Sequence, residues 1–235
     1  MSVNKERWEL AQEYELNWWK DKADKVDLEF YERFANDITN EISSYYKITT
    51  DSRILEIGSG AAGTITYFDS NFKYAIDPLE DFYVTIKSYR AIRDSRVIYK
   101  NAMAENLPFE SDFFDLIVID NVLDHCQNPE AVLSEMNRVL KTGGIVYFRQ
   151  NTYHCWGKFI RTVMEFLKID AGHPHTFRTS YLHKAFKKSR LSVMSFKGTG
   201  YLKTWVKEIR SKRVLDKVKA VLLATRNKTT FILKK

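Results

Sequence analysis

Apolar positions along this chain follow two rhythms, one of helical period and one of short continuous runs, and their order predicts a layered α/β architecture. Residues 6–46 contain no Gly or Pro and place Trp8, Ala11, Gln12, Glu15, Trp18 and Trp19 at helical spacing, which predicts two helices. Strand-like runs follow: Ile54, Leu55 and Ile57, then 74–76, 96–99, 116–119 and 145–148. Helical patterns separate several of them. In the clearest, 130–140, positions 132, 133, 136, 139 and 140 share one face; Asn128-Pro129 signals its start, and Thr142-Gly-Gly144 predicts its stop before the next strand. Such alternation predicts a parallel sheet covered by helices on both faces.

Beyond Phe148 the pattern changes. Trp156, Phe159, Ile160, Val163, Phe166 and Leu167 predict an amphipathic helix, followed by a break at Ala171-Gly-His-Pro-His-Thr-Phe177. This segment reads as a cap over the ligand side. A helix from Thr179 or Ser180 through Lys187, a strand over 191–196, a basic helix around 214–223 and a last strand over 229–233 complete the prediction.

Composition narrows the class. With 235 residues, 44% of them hydrophobic, the chain suits one domain with one core. No apolar run approaches the roughly 18 residues a membrane span requires, and the start carries charges where a signal peptide needs an apolar stretch, so a cytoplasmic location is expected. Two cysteines, Cys126 and Cys155, form no Cys-x-x-Cys pair, and His173-x-His175 by itself is a thin case for a metal site; no disulfide framework or metal site is expected. The net charge of +7 is unevenly placed: residues 1–150 hold 17 Lys and Arg against 26 Asp and Glu, residues 151–235 hold 20 against 4. The basic part suits an anionic substrate, an anionic membrane surface or nucleic acid; a merely solvated lysine-rich face gives the same pattern.

The densest chemistry lies where the first strand run ends. Gly58, Gly60 and Gly63 permit positive backbone dihedrals and let main-chain N–H groups approach a ligand, and a helix is expected to open over 64–69. Asp77 closes the second run about twenty residues after the turn, where an α/β sheet presents a carboxylate to ribose hydroxyls. The turn also fits the G-x-G-x-x-G dinucleotide pattern, which raises a nicotinamide-dependent (NAD) oxidoreductase as an alternative, although the helical residues ahead of it have no place in such a fold.

Four elements in order, Ile54-Leu-Glu-Ile-Gly-Ser-Gly60, Asp77-Pro-Leu79, Ala104-Glu-Asn-Leu-Pro-Phe109 leading into Phe114-Asp-Leu-Ile-Val118, and Arg138-Val-Leu-Lys-Thr-Gly-Gly144, resemble the class I S-adenosylmethionine-dependent methyltransferases. The resemblance covers about residues 50–150. It implies a Rossmann-like, doubly wound, mostly parallel seven-stranded sheet with helices on both faces and a cofactor-binding core (51–150), to which the residue patterns add an N-terminal helical segment (1–50), a cap after the fifth strand (151–190) and C-terminal strands with a basic helix (191–235). It also implies S-adenosyl-L-methionine as cofactor, with Gly58, Ser59 and Gly60 against its methionyl and ribose part, Asp77 on the ribose and Pro78 and Leu79 on one adenine face. The Ala104 amide would meet an adenine nitrogen beside Met103, which replaces a commoner Asp, and Asp120 and Asn121 would lie near the methionyl end. Glu56 would hold the loop and the amino group, while Glu56 and Asp120 equally suit loop-fixing roles without ligand contact. The third glycine is displaced by one position, to Gly63, which predicts an altered loop path.

The implied reaction is methyl transfer to an O or N atom of a small acceptor, with anionic acceptors favoured by the basic C-terminal part. If a proton acceptor is used, His125 or His175 is the choice. RNA, a membrane-bound lipid and a non-catalytic cofactor-binding partner subunit are the alternatives. Tyr14, Trp18 and Trp19 either line the acceptor pocket or pack their helix on the sheet.

Overall fold

The computed structural model describes residues 2–23, 25–166 and 172–235; Leu167 and Ala171, the ends of the predicted cap helix and of the break after it, lie outside these. Seven strands form one sheet: β1 (Arg53–Ile57), β2 (Phe72–Asp77), β3 (Val97–Asn101), β4 (Phe114–Asp120), β5 (Leu140–Thr152), β6 (Ser192–Thr199) and β7 (Asn227–Lys234). Their order across the sheet is β3-β2-β1-β4-β5-β7-β6. The first five are parallel, and β7 runs antiparallel between β5 and β6. That reversed strand separates the sheet from the usual dinucleotide-binding order 3-2-1-4-5-6.

Alternation along the central strands divides the core in two. Leu55, Ile57, Ile117, Ile119, Val146 and Phe148 join Val132, Leu133 and Met136 of α5 (Pro129–Val139) and Leu182 and Phe186 of α7 (Thr179–Lys188). Their neighbours in sequence, Ile54, Leu116, Val118, Ile145 and Tyr147, join Phe34, Ala35, Ile38 and Ile42 of α2 (Leu28–Ile42). Helices thus cover both faces, each held by side chains whose burial contributes about 1.5–3 kcal/mol apiece. α1 (Lys5–Lys20) lies over the ends of the strands near the glycine turn. α3 (Glu80–Tyr83) and α4 (Lys87–Ala91) connect β2 to β3, and α6 (Cys155–Phe166), α8 (Tyr201–Ile209) and α9 (Val214–Val221) belong to the cap and C-terminal part.

Two expectations change. The helix predicted over 64–69 is a single 3-10 turn, Thr64–Tyr67, because the chain must straighten at Phe68 to enter β2 four residues later. The Thr142-Gly-Gly144 segment does not stop α5, which ends at Val139; Leu140 already pairs with Phe114, and the glycines sit in a bulge before the register resumes at Ile145 opposite Leu116.

Candidate active site

Past β1 the backbone turns through Gly58, Ser59 and Gly60, and its path leaves no room for side chains at either glycine. Gly58 has φ +71° and a Cβ there would lie 2.3 Å from Cγ2 of Val122; Gly60 has φ +60° and a Cβ would lie 2.5 Å from the ring of Trp19. Asp77, at the end of β2, ties this turn in place: its Oδ2 accepts from the Gly60 N–H at 3.0 Å and its Oδ1 from the Leu79 N–H at 2.9 Å. One acceptor site per oxygen remains, which suits a pair of adjacent hydroxyls. Arg93 braces the loop that follows, donating to the Ala61 carbonyl at 2.9 Å while pairing with buried Glu80.

Glu56 takes the loop-fixing role. Its two oxygens accept from the N–H groups of Thr64 at 3.1 Å and Ile65 at 2.8 Å. A Cβ on Gly63 would lie 2.8 Å from Glu56 Oε2, so the displaced glycine is what lets the loop settle on that carboxylate. Asp120 is likewise engaged, by both Nε and Nη2 of Arg149 at 2.5 Å, and that guanidinium lies 3.8 Å from the ring centre of Phe34. Asn121 holds a positive φ of 55°, its Oδ1 accepting from the Asn151 N–H at 3.1 Å.

These residues enclose one cavity of about 330 Å³, lined by Glu56, Gly58, Ser59, Gly60, Asp77, Pro78, Leu79, Asp120 and Asn121. Further walls come from α1 and α2: Trp18 and Trp19, which the sequence offered as pocket-lining or packing residues, and Gln12, Glu15, Phe30, Tyr31 and Phe34, which it did not single out for the cavity. Trp19 is buried, its carbonyl accepting from the Tyr89 hydroxyl, whereas Trp18 stays half exposed at the cavity rim. Met103 and Ala104 lie in an adjoining pocket of about 40 Å³, with Pro78 below and Trp8 and Gln12 of α1 against them. That space admits a few waters and not a purine. Pro78, Met103 and Ala104, which the resemblance places around an adenine, thus border a space smaller than that ring.

A second, larger cleft of about 910 Å³ opens from the first, and Glu15, Trp18 and His125 line both. Seven Lys and Arg side chains line it, among them Arg161, Lys203, Lys207, Arg210 and Lys219, against four Asp and Glu. Tyr14 and His173 complete its inner wall. The two proposed proton acceptors therefore part company. His125 stands at the junction of the cavities, but His175 is buried, stacked on Phe177 and bonded through Nε2 to the Cys126 carbonyl at 3.0 Å, and it lines neither. From the segment expected to form a cap, α6 supplies Arg161 to the cleft, and its apolar row is not packed down, with Trp156 50%, Phe159 56% and Phe166 85% exposed. Among the described residues no helix is long and apolar enough to cross a membrane. Both cysteines are free, Cys126 buried and Cys155 exposed.

Burial pushes the Glu56 carboxyl up to about 7 and that of Asp77 up to about 6. For Asp77 the sign is set by desolvation: the folded chain keeps a proton that the unfolded chain, titrating near its ordinary 3.8, has released, so the stability this group contributes falls as pH rises from about 4 to about 6. His173 and His175, whose burial lowers their pKa, act in the opposite sense. The Asp77 contribution is isolated by difference: the melting temperature of the wild type relative to Asp77→Asn is expected to decline across pH 4–6. A flat difference would remove the buried, raised carboxylate.

Residues 55–148 match the family model described as a methyltransferase domain. An uncharacterised protein of Methanocaldococcus jannaschii is 34% identical over 105 residues, covering 45% of this chain and 47% of its own, and an uncharacterised methyltransferase of Schizosaccharomyces pombe is 31% identical over 141 residues, covering 53% and 49%. The chain spans about half the length of these two relatives. Among solved structures, geranyl diphosphate C-methyltransferase from Streptomyces coelicolor, in complex with Mg²⁺, geranyl diphosphate and S-adenosylhomocysteine, superimposes with a TM-score of 0.66 at 14% identity, over 86% of this chain and 79% of that one. With the glycine turn, the Asp77 anchor and the antiparallel seventh strand in place, residues 55–148 match the methyltransferase-domain model and the chain has the fold of the class I S-adenosylmethionine-dependent methyltransferases.

Proposed function

We propose that this chain transfers a methyl group from S-adenosylmethionine to an O or N atom of a small anionic acceptor. The observation that carries this reading is the junction: a cavity with a ribose-ready carboxylate opens, past Glu15, Trp18 and His125, into a cleft walled by seven cationic side chains. Bound S-adenosylmethionine supplies an electrophilic methyl on a sulfonium sulfur. The chain's own part is to hold the acceptor in line and to limit water, since displacement at a methyl carbon is governed by approach and orientation. Trp18 forms an apolar wall at that point, the cleft lysines and arginines draw in and orient an anion, and His125 stands where a proton leaving a hydroxyl or ammonium acceptor can be taken up. The similarity to an enzyme named for a diphosphate substrate agrees with an anionic acceptor.

A second reading is favoured by one observation, the exposed row Trp156, Phe159 and Phe166 on α6 beside the basic cleft, which suits an acceptor drawn from an anionic bilayer surface. One experiment separates the possibilities: methyl-labelled donor is incubated with the protein and with separated anionic metabolites, membranes and RNA. Label is expected in the small anionic fraction; label confined to membranes or RNA moves the acceptor class accordingly. Calorimetry that registers no binding of S-adenosylhomocysteine would sink the assignment altogether.

A further inference from the structure

The spacing of His173 and His175 makes no metal site, but the fold brings a different set together. Asp124 and His125 lie on a short 3-10 turn after β4, and the 172–177 segment is fastened to that turn by the His175 N–H donating to the Asp124 carbonyl at 3.3 Å and by the bond between His175 Nε2 and the Cys126 carbonyl. His173 is thereby placed against His125, ring centres 4.7 Å apart. Asp124 lies between the two: its Oδ1 is 4.0 Å from His125 Nε2, and its Oδ2 is 4.0 Å from His173 Nε2. Those separations are too long for hydrogen bonds and close to the span of two ligands on one ion, whose bonds from His nitrogen and carboxylate oxygen are each about 2.0–2.2 Å. All three ligand atoms fall within 4.8 Å of one another, against about 3.3–3.6 Å between neighbours around a tetrahedral ion with such bonds, so a contraction of about an ångström closes the set.

Two independent features point to a cation. The Asp124 side chain is only 8% exposed, and its Oδ1 has no hydrogen-bond donor among the described residues; a buried carboxylate in that condition is costly unless a positive charge meets it. The other nitrogen of the His125 ring, Nδ1, has no hydrogen-bond partner either and sits 3.9 Å from the Glu15 carboxylate. At 3.9 Å the Glu15 carboxylate is not bonded to the ring, and a small closure lets it accept from Nδ1–H, the arrangement that fixes the tautomer of a ligating histidine.

We propose that Asp124, His125 and His173 bind one divalent transition-metal ion, with its open positions facing the acceptor cleft. Two imidazoles and one carboxylate suit zinc, manganese or iron better than magnesium or calcium, which prefer oxygen-only sets. Arg161 and Lys219 line the same cleft and repel a bare cation, so ion and anion bind cooperatively, the anion completing the coordination. The site stands on the cleft and not on the methyl-transfer reading: it can fail while S-adenosylhomocysteine still binds, and hold while that ligand does not, and with the ion bound His125 no longer serves as the proton acceptor.

The test is calorimetry of untagged full-length protein with Zn²⁺ and, separately, Mn²⁺, each with and without inorganic phosphate, plus Co²⁺ absorption spectra to report mixed nitrogen and oxygen ligation. One ion per chain is expected, bound at least about tenfold more tightly with phosphate. Asp124→Asn and His173→Ala are each expected to weaken binding at least about 30-fold, and Glu15→Gln about 10-fold, within the range seen for outer-shell partners. Because Asp124 is buried and its variant is the more prone to misfold, His173→Ala, altering a half-exposed side chain, carries the test with melting temperature as the control. No binding by the wild type, or equal affinity in a folded His173→Ala, overturns the proposal.

Discussion

Asp77→Asn is expected to reduce affinity for S-adenosylhomocysteine by at least about 100-fold while leaving a folded protein. Hydrogen bonds to a charged partner contribute about 1.5–3 kcal/mol each, and two ribose hydroxyls share this carboxylate in the proposed complex. The substitution does more than remove charge. Both oxygens already accept from backbone, one from the Gly60 N–H and one from the Leu79 N–H, so an amide NH₂ in either place sets donor against donor in a buried site. Titration calorimetry checks the affinity and a melting curve checks the fold; an affinity within threefold of the wild type would show that the carboxylate does not grip the ligand.

Gly58→Ala is expected to be the most damaging addition of a Cβ among the glycines. The new Cβ would lie 2.3 Å from Val122 Cγ2 and 3.0 Å from Cγ1, on a backbone at φ +71° that residues with side chains rarely adopt. Overpacking costs about 1–3 kcal/mol and a left-handed residue about 1–2 kcal/mol, for a combined loss of about 3 kcal/mol. In a chain of this size that is a fall in melting temperature of about 6–12 °C. Adding Val122→Ala should restore the part due to the clash and leave the part due to the backbone. If Gly58→Ala melts like the wild type, the turn does not follow the path described.

What sequence revealed and concealed follows from how far each feature reaches along the chain. β1 with its glycine turn, Asp77 and the face of α5 are local: an apolar run, a backbone requirement and a 3.6-residue period each leave a mark within a dozen positions. The Trp19 ring against Gly60, the grip of Arg149 on Asp120 and the Glu80–Arg93 brace are pairings between distant elements, and nothing near Asp120 announces Arg149. The histidines show the same limit. His173 and His175 would share a side of an extended strand, and only the bend at Pro174 sends one to the cleft and the other beneath Phe177. The place of β7 between β5 and β6 was equally hidden, since the strand that splits them comes last in the chain.

α1 and α2 precede the stretch that the family model recognises, yet they wall the donor cavity, and the cationic cleft is built mostly from residues beyond that stretch. On the proposed reading the shared module is half a vessel: it would fix the nucleoside and leave the choice of recipient to the flanks. Relatives that share the module while differing elsewhere can keep one chemistry and exchange customers, and a chimera that swaps only the flanks should carry the recipient preference with them.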